Sequence, residues 1–292
     1  MKFRLITALI VGACVFLTLP EFAFPIEVAV ASADASKTTA GRFSYSADSA
    51  GINIVYHDDI SNSDRKYHQE KFDECSSMAI YQLSAKGQIA IDGSCSSRGG
   101  QVFIHIYEWN KKIEDWCLIR EVTGEKPDIP SGDLFGSRQV ARVVGCPRIG
   151  NDGPYRYEEK SALKNDISDE IVMFKNAQRD KATLKQYIAN MPFYVPLELA
   201  DNLDVVSVQD VNDIAFYLIE NGRADDSAPL LQRIVEKYPD RVVAKLNLAD
   251  AYWQDKMIPQ AKEMYQRYAK QMGDQGKSAR VPERVLSRIN QQ

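Results

Sequence analysis

Histidine is scarce in this chain: His57, His68 and His105 are the three in 292 residues. No two of them stand three or four apart, which excludes the helical zinc motif that needs two imidazoles on one face. Cysteine is also sparse. Of the five, no pair has the close Cys-x-x-Cys spacing of a zinc ribbon. Glycine-rich phosphate loops and a Gly-x-Ser-x-Gly nucleophile elbow are both missing. Positive charge is not in excess either, since the formal net charge is −4, and this removes the main sequence sign of a nucleic-acid binder. These absences point away from a metal, a cofactor and a nucleic-acid partner, and the chain is expected not to be an enzyme.

Long apolar runs are confined to the N-terminus. Lys2 and Arg4 precede an uncharged, mostly apolar stretch from Leu5 to Leu19 that ends at Pro20, followed by small-residue cleavage candidates at Ala29-Val30-Ala31 and Ala31-Ser32-Ala33. That is the layout of a secretory signal peptide, assigned to residues 1–33. The mature chain is expected to begin near Ser32 or Asp34, in the periplasm or outside the cell, with no membrane span once the leader is gone. Two other readings exist. The leader could remain as an anchor, or Val11-Gly12-Ala13-Cys14 could serve as a lipidation box, although Val15-Phe16-Leu17 continues the apolar core where a tether would be polar.

Removing the leader takes away Cys14 and leaves Cys75, Cys95, Cys117 and Cys146. An even count in an exported chain implies disulfides, and all four cysteines fall in one stretch of the sequence. Charge is uneven as well. Residues 241–292 hold ten Lys or Arg against five Asp or Glu, a local +5 that leaves −9 in residues 1–240.

Residues 40–150 read as strands, because their apolar positions recur with period two between turn residues. Examples are Ile52, Ile54 and Tyr56, then Ile89 and Ile91, then Val102, Ile104 and Ile106. Ala85-Lys86-Gly87 and the passage from Asn110 to Glu114 each separate two such runs, as in antiparallel hairpins. Folding the first hairpin brings Cys95 near Cys75, which favours Cys75 with Cys95 and leaves Cys117 with Cys146. The His57-Asp58-Asp59 stretch could be an acid/base cluster, but its position after a strand reads more simply as a polar turn. Phe103, Tyr107, Trp109 and Trp116 could form a ligand face, and as readily fill the core of a small sheet.

Gly150-Asn151-Asp152-Gly153-Pro154 reads as the start of a linker, and residues 151–207 as linker plus one helix from about Asp166 to Met191. Pro192 and Pro196 predict an extended passage before Val208. From there the chain repeats. A shift of 34 places Ile214 on Leu248, Ala215 on Ala249, Leu218 on Tyr252, Ser227 on Ala261, Leu231 on Tyr265 and Ile234 on Tyr268, each pair matching as small or large.

This period, with Ala215 and Ala249 at the eighth position, Ser227 and Ala261 at the twentieth and Pro239 closing the first unit, resembles the tetratricopeptide repeat. The second unit departs from that pattern, with Gly273 in place of the closing proline. Gly222 is expected to end one helix, Asp225 or Asp226 to cap the next with Pro229 in its first turn, and Pro259 to open the matching helix of unit two. A last helix from Pro282, striped by Val281, Val285, Leu286 and Ile289, would close residues 208–292. The fold class is therefore α+β: a disulfide-containing antiparallel β domain, then a helical repeat.

The resemblance implies a concave face, lined by the first helix of each unit, that accepts a protein or peptide. Its positions here are Asn212, Asp213, Phe216 and Glu220, then Leu246, Asn247, Asp250, Trp253 and Gln254. Of these, Asn212, Phe216, Asn247, Asp250 and Trp253 are the expected partner contacts, with Trp253 as the aromatic anchor. These mostly neutral or acidic positions do not suit a C-terminal carboxylate. The leading expectation is an exported adaptor; the alternatives are an immunity-type inhibitor of a secreted toxin and a hydrolase in the β domain.

Overall fold

The computed structural model describes residues 26–30 and 41–291, apart from 60, 73, 74, 76, 85, 86, 95–99, 129–131, 152 and 159–162. Alternating apolar residues build two antiparallel sheets. The first runs β1 (Ile26–Val30), β2 (Gly41–Ala47), β3 (Gly51–Asp58), β4 (Ser63–Glu70). The second runs β5 (Ser77–Ser84), β6 (Gln88–Ser94), β7 (Gln101–Asn110), β8 (Asp115–Glu125), β9 (Ser137–Arg142). Strands adjacent in sequence are adjacent in space, the simplest pairing that short turns allow. Both expected hairpins form, with Tyr81 opposite Ala90 and Trp109 opposite Trp116. β1 lies inside the stretch assigned to the leader, so cleavage after Ala31 or Ala33 would remove this edge strand.

The two sheets face each other across one core. Phe43, Ile52, Ile54 and Tyr56 from the first meet Ile80, Ile89, Ile91, Tyr107, Trp116 and Leu118 from the second, all buried. Tyr107 and Trp116 thus take the core role, while Trp109 lies at its margin under the Arg65 guanidinium, 5.3 Å from the ring centre. The opposite face of the second sheet is buried too. Leu83, Ala90, Val102, Ile104, Ile106 and Val122 belong to a second core shared with the helices. The molecule is therefore three layers, sheet on sheet on helices, and the middle sheet is apolar on both sides.

A disulfide joins Cys117 on β8 to Cys146. Cys75 is buried and also disulfide-bonded, and its expected partner Cys95 lies outside the described residues. The break after Gly150 is no free tether. Ile149 is buried, the Gly150 amide donates to Gln69 Oε1 at 3.4 Å, and Tyr157 bridges to Val143 beside β9.

Eight helices follow among the described residues: α1 (Leu163–Ala177), α2 (Lys181–Ala189), α3 (Tyr194–Asp201), α4 (Val208–Glu220), α5 (Ala224–Lys237), α6 (Val242–Gln254), α7 (Ile258–Asp274) and α8 (Glu283–Asn290). The single helix expected from Asp166 to Met191 is two. Asp180 stops the first by capping the second, accepting from the Thr183 amide at 2.7 Å. The passage around Pro196 is not extended but is α3. Pro196 is the third residue of that helix, where its missing N–H has no intrahelical acceptor to lose.

α3 fastens the helical layer to the middle sheet. The Arg138 guanidinium on β9 reaches Glu198 at 2.7 Å and Asp201 at 2.6 Å, and Arg120 on β8 donates to the Tyr194 hydroxyl at 3.1 Å. α2 and α3 pack on α4 and α5 respectively, supplying the face that two repeat units alone would leave open.

Candidate protein-docking groove

The repeat begins with small residues at helix crossings. Ala215, Ser227, Ala249 and Ala261 are all fully buried, so α4 meets α5 and α6 meets α7 at close range. In unit one the Ser227 hydroxyl donates to the Ala215 carbonyl at 2.9 Å and locks the crossing. Helix ends follow the sequence with one exception. Gly222 takes φ +77° just past α4, a left-handed conformation that glycine adopts without penalty, and Pro259 stands in the first turn of α7.

The exception is α5. It starts at Ala224 with no side-chain cap, so Asp225 and Asp226 fall inside its first turn, Asp226 paired with the Arg223 guanidinium at 2.5 Å. Pro229 accordingly falls in the second turn rather than the first.

α4 and α6 are the first helices of the two units and lie side by side. Asn212 and Asn247 are buried between them, the Asn247 amide donating to Asn212 Oδ1 at 3.4 Å. These two expected contacts thus hold the helices in register. Phe216 is different: 41% exposed, it presents its ring from α4. Val243 on α6 is 56% exposed, and Leu246 is partly buried. Phe216 and Val243 are thus exposed apolar side chains on the first helices of the two units, and Glu220, also exposed, stands one turn beyond Phe216 on α4.

At the far end of α6 the surface is already engaged. Asp250 accepts from Arg284 at 2.8 Å and Arg288 at 2.7 Å, both on α8, and from the buried Tyr265 hydroxyl at 2.6 Å. Burial, followed by the bond to Asp250, pushes the Tyr265 phenol well above its ordinary range. The Arg288 guanidinium sits 4.9 Å from the centre of the Trp253 ring and also bonds the Tyr265 hydroxyl. Only part of the expected α8 stripe is covered, since Val285 is buried and Leu286 is 49% exposed. Ion pairs this open to water each contribute about 0–1 kcal/mol, so the hold on α8 is modest. The sequence signal for it existed: Arg284 and Arg288 are four apart and lie on one helical face.

The histidines occupy other ground. His57 lies near the β3–β4 turn, its Nδ1 2.7 Å from Asp64 and its Nε2 3.5 Å from Asp59. His105 is buried between the sheets, its Nε2 3.4 Å from Glu121 and Nδ1 3.4 Å from the Tyr107 hydroxyl, with Phe72 edge-on. The His105 bond holds the Glu121 carboxyl below its ordinary value, and Tyr157 donates to the same carboxylate at 2.5 Å. The elements bring His57 and His105 to separate places, the end of strand β3 and the core.

Residues 218–280 match the tetratricopeptide repeat family model, so the C-terminal part of the chain is a tetratricopeptide-like repeat. No curated protein matches the chain. Among the described residues no helix is long and apolar enough to cross a membrane.

Proposed function

We propose that this is an exported, non-enzymatic adaptor whose concave helical face docks a protein or peptide partner. The carrying observation is the exposure of two apolar side chains on the first helices of the units, Phe216 on α4 and Val243 on α6, in a repeat whose residues 218–280 match the family model. Repeats of this kind generally serve protein interactions, and an exposed aromatic ring on a groove wall is the usual anchor of such contacts. A partner that fits offers an apolar side chain to Phe216 and Val243 and a basic or neutral group to Glu220.

The leader-like pattern of the N-terminus and the Cys117–Cys146 disulfide, which suits an oxidising environment, support a periplasmic or extracellular compartment. The sheet layer then acts as the platform: sharing a core with the helices, it fixes the groove's orientation.

The test is affinity capture from the native cell envelope, running the native protein beside Phe216→Ala/Val243→Ala. A partner recovered with the first and lost with the folded double variant is the expected result. Equal recovery with both would sink the groove reading.

A further inference from the structure

We infer that the face made by Asp250, Trp253 and Tyr265 is a receptor for a helical segment bearing two arginines one turn apart, and that α8 is its resident, exchangeable occupant. The inference rests on the reading of the concave face as the docking surface and names the chemistry recognised at its second unit.

The receptor's groups all belong to α6 and α7. Tyr265 is fully buried within α7, its hydroxyl orients Asp250 of α6 at 2.6 Å, and the Trp253 and Tyr265 rings stand 6.2 Å apart. The Tyr265 bond to Asp250 lies within the repeat, so an anionic oxygen pair stands beside an aromatic wall. That combination suits a guanidinium, which makes forked bonds to a carboxylate while stacking on a ring. α8 supplies two of them. Arg284 and Arg288 flank Val285 on one face, and both bond the same carboxylate.

The occupant is built to leave. Val285 is its one buried side chain, Leu286 stays half exposed, and Arg284 is 48% exposed in its ion pair. The connection from α7 is residues 275–282, with Gly276 at φ +67° and a short 3-10 turn at Ser278–Arg280. Eight residues extend to about 26 Å, enough for α8 to swing clear while remaining tethered. A partner helix with an apolar residue preceded by one arginine and followed three places later by another would satisfy the same groups. The resident competes with it and lowers its apparent affinity until displaced.

The experiment uses the full-length protein and a fluorescein-labelled synthetic peptide with the sequence of residues 281–292, read by anisotropy. Native protein, its receptor filled, should bind the peptide weakly. Val285→Glu, which expels α8, should bind at least ten-fold tighter and show a red-shifted Trp253 emission. Adding Asp250→Asn should abolish that gain, as should replacing both peptide arginines by glutamine. Should Val285→Glu fail to fold, Arg284→Gln/Arg288→Gln releases α8 by removing one exposed and one partly buried guanidinium without introducing a buried charge, with the same expectation. A folded, α8-released variant that takes up the peptide no better than native protein overturns the inference. Partner capture that still depends on Phe216 would, in that case, leave the groove reading standing. Uptake that persists with Asp250→Asn also overturns it.

Discussion

The two repeat units share an interior and part company on their outer faces. In unit one, Ala215 and Ser227 bring α4 against α5 and leave Phe216 facing outward; in unit two, Ala249 and Ala261 do the same for α6 and α7, but Asp250 and Trp253 are engaged by α8. The small buried residues set the scaffold, and the outward positions are free to vary because they carry little packing. One scaffold can therefore hold an open contact surface and an occupied one side by side.

The strongest way to break this comparison is to attack what the units have in common. Ala215→Leu and Ala249→Leu each force three additional carbon atoms into a fully buried crossing, and each should cost about 3 kcal/mol. Urea unfolding would measure both. If one were tolerated and the other not, the units would not be built alike.

A smaller effect separates the units. Asp250→Asn removes the charge that two arginines and a phenol share, and should cost about 1–2 kcal/mol given how open those arginines are. Trp253 emission should shift in the same variant as α8 loosens. The matching position in unit one is Phe216, which has no such partner set to lose.

Asp255, at the end of α6, sharpens the comparison from the opposite direction. Burial, with Asp225 and Asp226 adding repulsion, raises its carboxyl to about 6, and its Oδ2 is buried with no hydrogen-bond partner among the described residues. A raised folded-state value means that stability is fully present below the unfolded value near 4 and is lost as pH rises through about 6. Asp255→Asn should therefore stabilise the protein at pH 7 by on the order of 1 kcal/mol after solvent screening is allowed for, and the advantage should vanish at pH 4. Melting temperature against pH would reveal it. An unchanged difference between pH 4 and 7 would count against the burial of that charge.

What was legible in the sequence follows the same division between interior and surface. The 34-residue shift works because Ala215, Ser227, Ala249 and Ala261 are tied to helix crossings that tolerate no bulk, so the repeat shows in the residues themselves. The period-two runs carried both hairpins for a similar reason, since pairing register is a short-range property, while the Cys117–Cys146 pair followed only by elimination from setting Cys95 beside Cys75. The layering was not legible. That Val102, Ile104 and Ile106 would pack against helices some 90 residues away depends on long-range contact, which no local pattern carries. Asp180 was readable as a helix cap and was missed because apolar residues continue at helical spacing on both sides of it. Among the groove positions, the sequence could not tell buried Asn212 and Asn247 from exposed Phe216, since all three lie within one turn or one unit of each other.

The last prediction has the smallest effect on stability and the largest bearing on function. Phe216 is 41% exposed and its ring lies 5.3 Å from that of Tyr217, so truncation removes little buried surface. Phe216→Ala should move the unfolding free energy by less than about 0.5 kcal/mol, as exposed positions do. Partner recovery should nonetheless fall at least ten-fold, because an anchor ring contributes most of its energy only when a partner covers it. Asp250→Asn reverses this pattern, with stability affected first. A Phe216→Ala protein that unfolds as readily as Asp250→Asn would show that the ring supports the repeat from within, and unit one would then be as closed as unit two.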